Sequence, residues 1–344
     1  MRALEVLVFF VAIILCVLIT GLVRRYTLTA GVLDVPNSRS SHVLPTPRGG
    51  GVAIVLVWAS SVVVASFYSS PNLIVLLAIL ISGFSIAALG LADDVWGLSV
   101  YFRLLTQLAA SVLIVLVLTA YFGIAPPFAP ILVSQALLSL GLVWSINSFN
   151  FMDGIDGIAA SQATYVLLAS LVAVGMIGAD VQHWIIILVL ASAGACVGFL
   201  YWNWPPAKIF MGDVGSGFLG FWLGILAILL HVTHTLSIFV SIALNAVFIA
   251  DAGVTVVRRI LRGDRWYEAH RSHAYQLLAR QWNSHQKVTL LLWVLNLGLV
   301  SPIAYAAIVR PDCAHWIALG AIVFVAAGCL ANGAGRAAES RITS

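Results

Sequence analysis

Long apolar runs separated by short polar clusters repeat from one end of the chain to the other. A helix needs about 20 predominantly apolar residues to cross a bilayer, within a range of about 17–25. On that measure eleven spans can be drawn, over roughly 4–22, 51–68, 73–92, 104–122, 131–147, 157–178, 184–202, 216–232, 236–257, 288–309 and 315–332. The pattern predicts an all-α polytopic integral membrane protein with about 11 transmembrane helices, built as a single membrane-embedded domain over residues 1–344. The first run, Leu4 to Val23, is too long for a signal-peptide core, lacks a small-x-small cleavage site and is followed by Arg24-Arg25, so it reads as the first span. Composition agrees: at 62% hydrophobic and 9% charged residues, the chain has too little polar surface for a soluble fold of this length.

Charge adds an orientation. The net charge of +4 says little, but 15 of the 17 Lys and Arg residues fall in one alternating set of connections, leaving only Arg2 and Arg310 in the other. Basic residues mark the cytoplasmic side, so the N-terminus is expected to be periplasmic and the C-terminus cytoplasmic. The longest inside loop runs over 258–287, and within it Tyr275 to Leu278, with Ala279 and Trp282, is amphipathic and is expected to lie on the membrane. Cys16, Cys196 and Cys329 lie in apolar runs and Cys313 in a loop, with no CxxC or Cys/His spacing, which gives neither a disulfide framework nor a zinc site.

Candidate chemistry lies at the ends of the apolar runs. Five of the 13 acidic residues, Asp93, Asp94, Asp153, Asp156 and Asp213, sit there, all on the predicted cytoplasmic side. A carboxylate beside the hydrocarbon core is expensive and usually marks function. Asp93 and Asp94 close the third span. As neighbours they repel, so they need a cation nearby or a shared proton, and as charges at a helix C-terminus they oppose the macrodipole. Asn147, Asn150, Asp153 and Asp156 recur every three residues, which would place them roughly on one face if the segment is helical, with Gly154 and Gly157 permitting a turn. Oxygen ligands of this kind suit Mg²⁺. Asp213 lies in Lys208-Ile-Phe-Met-Gly-Asp-Val-Gly-Ser-Gly217, where it fits either a helix N-cap or a pyrophosphate site served by Lys208. Arg48 and Gly49–Gly51 precede the second span, and His42 lies just upstream. Free glycine amides there would face a phosphate, against the plainer reading of a tight positive-inside loop. His270, Arg271 and His273 supply cationic and hydrogen-bonding groups within the long loop, the alternatives being a histidine metal pair or a surface helix. Asp251, inside the ninth span, is a candidate only for a supporting role.

Together these motifs, in this order from Ser38 to His273, resemble the polyprenyl-phosphate N-acetylhexosamine-1-phosphate transferases, glycosyltransferase family 4. That family includes the phospho-N-acetylmuramoyl-pentapeptide transferase and the initiators of O-antigen and enterobacterial common antigen. The resemblance implies a catalytic role for Asp93, Asp94, Asp153 and Asp156. It implies metal binding by Asp213 with Asn150, to Mg²⁺ or alternatively Mn²⁺. It further implies substrate binding by His42, Arg48, Asn147, Asn150, Lys208, His270, Arg271 and His273, with the 258–287 loop recognising the sugar nucleotide. Two departures stand out. Arg271 and Ser272 occupy positions that are histidine in some relatives, and His42 falls where the cell-wall enzyme carries a lysine, which favours a surface-polysaccharide initiator. The implied reaction moves a sugar-1-phosphate (GlcNAc, FucNAc or QuiNAc type) from a UDP-N-acetylhexosamine to undecaprenyl phosphate at the cytoplasmic face of the bacterial inner membrane. The partners are those two substrates and membrane lipid, with no nucleic acid, and a homodimer is left open. The alternative class is a transporter or channel with its acids on an ion path, but transport sites usually lie near the bilayer midplane, and these acids gather at one face.

Overall fold

The computed structural model describes residues 3–34, 45–69, 71–123, 130–265 and 270–336. Its helices are α1 (Ala3–Thr29), α2 (Gly51–Ser69), α3 (Leu73–Trp96), α4 (Val100–Phe122), α5 (Ile131–Met152), α6 (Ile158–Ile177) and α7 (His183–Asn203). They continue with α8 (Asp213–Val232), α9 (Ile238–Leu244), α10 (Ala246–Leu261), α11 (Ala274–Trp282), α12 (His285–Leu295), α13 (Ser301–Val309) and α14 (Ala314–Ala331). Residues 296–300 form a π-helical turn between α12 and α13. Strands β1 (Leu33–Asp34) and β2 (Thr46–Pro47) pair antiparallel ahead of α2.

Among the described residues nine helices or joined helices are long and apolar enough to cross a membrane, and α9 with α10 makes a tenth span bent by 73°. The apolar stretch of α2 is shorter and completes the eleven predicted segments. The protein is therefore an all-α polytopic membrane protein. Helices α7 and α8 are buried along most of their length, whereas α1 packs on α7 and exposes Leu7, Phe10, Ile14, Leu18 and Leu22 on its outer side.

Two local devices position the site. The Asn72 side chain accepts hydrogen bonds from the amides of Ile74 and Val75 to start α3, and Gly97, with φ 64°, ends it in the left-handed region that only glycine enters freely. Ser99 then caps α4, so α3 and α4 form a hairpin with Asp93 and Arg103 on facing turns. Secondly, α8 is drawn tightly against α2 and α3. A Cβ on Gly51 would collide with Gly215 Cα, and one on Gly90 would collide with the Asp213 carbonyl. Small residues permit this backbone approach within a membrane.

Two expected features differ. The helix carrying Asn147 and Asn150 stops at Met152, so Asp153 and Asp156 lie in the following turn, where Gly157 has φ 74°. The amphipathic segment of the long loop does form a helix, α11, but Ala274, Tyr275, Gln276 and Ala279 are buried against the protein, while Trp282 stays exposed. A charged anchor beneath α11, described below, accounts for this.

Candidate active site

Asp94 lies at the C-terminal end of its own helix, α3, but faces the N-terminal end of another. Its Oδ1 accepts the Asp213 amide at 2.9 Å and its Oδ2 accepts the Val214 amide at 3.2 Å. These are unpaired donors of the first turn of α8, so the charge that opposed one macrodipole is stabilised by another. With Asp94 as the cap, the Asp213 carboxylate is left for other partners. Arg48 Nη2 lies 2.6 Å from Asp94 Oδ1 and 2.8 Å from Asp213 Oδ1. Arg103 pairs with Asp93 and approaches Asp213 Oδ2 at 3.7 Å, while the Leu98 amide donates to Asp93 Oδ1 at 2.7 Å. Three carboxylates and two guanidinium groups thus form one alternating cluster.

Asn147, Asn150, Asp93, Arg103, Gln107 and Asp213 line one small cavity beside this cluster. Asn147 donates to Gln107 Oε1 at 2.7 Å, and Asn150 donates to Ser216 Oγ at 3.2 Å. Among the described residues no three His, Cys, Asp or Glu side chains converge as a ready metal cage. Mg²⁺ does not require one, since it usually takes one or two carboxylates, with waters and substrate phosphate oxygens completing its shell. Asp213 and Asn150, facing one cavity with oxygen donors, fit that habit.

The second aspartate pair is divided. Asp156 is engaged: the Ala207 amide donates to its Oδ2 at 3.0 Å, and His285 Nδ1 lies 3.2 Å from its Oδ1. Asp153 accepts no hydrogen bond among the described residues, and burial, with Asp213 next in effect, holds its carboxyl well above the usual carboxylate range. Asn203 braces this turn by accepting the Gly157 amide at 2.9 Å and donating to the Ile209 carbonyl at 2.9 Å.

The loop histidines reach the same turn through Phe151. His270 and His273 stack with ring centroids 4.8 Å apart, and His273 stacks on Phe151 at 6.1 Å. Burial, then the His273 and Arg259 charges, push the His270 imidazole down to about 3, so at neutral pH it offers a hydrogen bond and a ring face, not a cation. Arg271 is the cation of that stretch. Lys208 lies to one side, its Nζ 5.7 Å from the Tyr201 ring centroid and 5.6 Å from that of Trp202, and its carbonyl accepts Arg24 Nε at 3.1 Å. The amides expected to await a phosphate at Gly50 and Gly51 are occupied, donating to the Phe210 and Met211 carbonyls at 2.9 Å each. His42 lies outside the described residues.

Sequence reasoning missed Arg103, which was counted only as a cytoplasmic charge, and also His285 and Tyr275. A signal for Arg103 existed: Gly97 followed by Ser99 predicts a helix hairpin that folds residue 103 back toward Asp93.

A bundle of apolar helices with a cluster of acids and arginines at one end defines a membrane enzyme acting on phosphate esters better than it defines a pore. The profile of the family described as Glycosyl transferase family 4 matches residues 76–231, which hold all five aspartates, from Asp93 to Asp213. The chain is 31% identical over 93% of its length, and 88% of the relative, to a probable undecaprenyl-phosphate N-acetylglucosaminyl 1-phosphate transferase of Bacillus subtilis (strain 168). It is 34% identical over 80% of its length, and 76% of the relative, to a decaprenyl-phosphate N-acetylglucosaminephosphotransferase of Mycolicibacterium smegmatis. A phospho-N-acetylmuramoyl-pentapeptide-transferase of Chlamydia muridarum shares 38% identity over 35% of each chain. The chain belongs to glycosyl transferase family 4.

Proposed function

We propose that the protein transfers an N-acetylhexosamine-1-phosphate, of the GlcNAc or FucNAc/QuiNAc type, from a UDP-sugar to undecaprenyl phosphate. UMP leaves, and the lipid-linked diphosphate sugar starts O-antigen or a similar surface polysaccharide. The observation that carries this reading is the acid–arginine cluster in a helix bundle that also holds an apolar cavity. That cavity, of about 530 Å³, lies between α5, α8, α9 and α10 and is lined by Leu137, Leu142, Phe149, Ile228, Phe239 and Phe248 among others. Phe149 precedes Asn150, so α5 carries the wall of the apolar cavity and the wall of the polar one on adjacent residues. A polyprenyl chain suits the first and its phosphate the second.

In the reaction an oxygen of the lipid phosphate forms a bond to the sugar-bearing phosphorus, and the bond from that phosphorus to the UMP oxygen breaks. A phosphate monoester is already a nucleophile at neutral pH, so the task is to bring two anions together in line. Arg48 and Arg103 supply fixed positive charge, and the carboxylates hold both guanidinium groups in place. Asp213 with Asn150 would hold Mg²⁺, which when bound neutralises diphosphate charge. Asp93 and Asp94 stand on the acceptor side, Asp153 and Asp156 on the donor side, with His270, Arg271 and His273 on the sugar nucleotide. Lys208, with Arg24, would extend the positive surface at the cluster's edge. The positive-inside pattern supports placing this site at the cytoplasmic face of the bacterial inner membrane.

Purified protein with undecaprenyl phosphate, Mg²⁺ and a panel of radiolabelled UDP-N-acetylhexosamines should give lipid-linked label with at least one donor. Asp213→Asn should lower turnover by about 100-fold or more, the scale of removing one electrostatic stabiliser of the transition state. Absence of label with every donor, together with uptake of ions or sugars by vesicles, would replace the enzyme with a transporter.

A further inference from the structure

Asp251 is 2% exposed in the middle of an apolar helix, yet no step of the proposed reaction uses it. Its partners belong to the start of the helix that follows the histidines, to His273 just before it, or to its own next turn. Oδ1 accepts the Ala274 amide at 2.9 Å and Oδ2 accepts the Tyr275 amide at 3.1 Å, so the carboxylate caps α11 from 23 residues away. Thr255 donates to Oδ1 at 3.2 Å, and His273 Nδ1 lies 3.4 Å from the same oxygen. From the other side of α11, the Tyr275 hydroxyl donates to the Phe151 carbonyl at 2.8 Å, beside Asp153. Gly154 is pressed so closely on the Tyr275 hydroxyl that a Cβ would clash with it.

A charge is rarely buried in a membrane helix without partners. Here two backbone amides and a hydroxyl hydrogen-bond to it with an imidazole close by, and the two amides tie α10 to α11.

We propose that Asp251 is a positioning residue that, with Tyr275, clamps the His270–His273 stretch between α10 and the Phe151–Gly154 turn and so sets the affinity for the sugar-nucleotide donor. This rests on the reading of those histidines as donor contacts. The clamp also explains why the first turn of α11 is buried against the protein. Helix α10 walls the apolar cavity through Phe248 and Ile249, so one half-span sets the spacing between the groove and the loop.

The test compares wild type, Asp251→Asn and Tyr275→Phe by steady-state kinetics in each substrate, by binding of the UDP-sugar alone, and by backbone hydrogen exchange. Asparagine keeps the shape and one acceptor but loses the charge and the second acceptor. Loss of charge-assisted hydrogen bonds of this kind should raise the donor KM by about tenfold or more, leave the acceptor KM within about twofold, and speed exchange at Ala274 and Tyr275. Tyr275→Phe should shift the donor KM in the same direction by less, and it decides the matter if Asp251→Asn does not fold. Equal donor KM and equal exchange in variant and wild type would overturn the clamp, as would a rise in acceptor KM matching that for the donor. A wild type that binds no UDP-sugar would instead remove the functional reading beneath it, while the exchange data would still report whether Asp251 anchors α11.

Discussion

The chemistry of single residues follows from which carboxylates are already engaged. Asp94 and Asp156 are held by backbone amides and neighbouring side chains, Asp93 and Asp213 by arginines, and Asp153 by no hydrogen bond among the described residues. A carboxyl buried in that way ionises late, and its charge opposes those of Asp213 and Asp94. The folded protein therefore binds this proton more tightly than the unfolded chain does. The resulting penalty is absent below the ordinary carboxylate value of about 3.9, grows as pH rises toward the raised folded value, and is complete above it. Asp153→Asn should accordingly melt at a higher temperature than wild type at neutral pH, with the difference shrinking toward pH 4. A melting difference that stays constant across that range would show that Asp153 carries no such penalty. Neither the loss of helix at Met152 nor the isolation of Asp153 was legible from the three-residue spacing of Asn147, Asn150, Asp153 and Asp156. That spacing marks the residues but not their placement, since the helix ends at Met152 and Gly154 packs against the Tyr275 hydroxyl from a distant helix.

At the scale of elements the break between α9 and α10 is the main departure from straight spans. A break frees backbone carbonyls that lipid cannot satisfy, so protein groups must do so. Gln162 on α6, fully buried, donates to the Leu244 carbonyl at 3.2 Å and accepts from Asn296 Nδ2 at 2.7 Å. Asn296 opens the π-helical turn before α13, and its carbonyl accepts the Ser301 hydroxyl at 3.0 Å. One glutamine thus supports two irregular stretches of backbone. Gln162→Leu, close in volume, should destabilise the protein by about 1–3 kcal/mol by stranding both partners, read as earlier thermal unfolding in detergent. Unchanged unfolding would mean that these groups find other partners. The spans themselves were readable because apolar length alone defines them. The break was not, since residues 236–257 are predominantly apolar and no proline or glycine stands beside Asn245 to mark it.

For the molecule as a whole the open matter is which way it sits in the membrane, and the chain carries its own reporter. Cys16, Cys196 and Cys329 are buried, whereas Cys313 is partly exposed between α13 and α14. The charge bias predicts that this turn lies outside. A membrane-impermeant maleimide added to intact spheroplasts should label the protein once, at Cys313, and Cys313→Ser should abolish the label, since accessible thiols react and buried ones do not. Labelling that requires lysis would invert the orientation and move the acidic cluster to the opposite face.

The sequence by itself determined the membrane class, the eleven apolar segments, the identity of the five aspartates and, through the order of its motifs, the family. Each of these depends on properties carried by short stretches: hydrophobic length, residue type and spacing. Only the tertiary structure decided which groups engage each aspartate. It also brought Arg103 and His285 into the site and joined the histidine loop to α10. The reason is distance along the chain: Asp94 meets the Asp213 amide across 119 residues and Arg48 meets the Asp213 carboxylate across 165. Such contacts depend on how closely α2, α3 and α8 pack through Gly51, Gly90 and Gly215, and no periodicity within a single span encodes that approach.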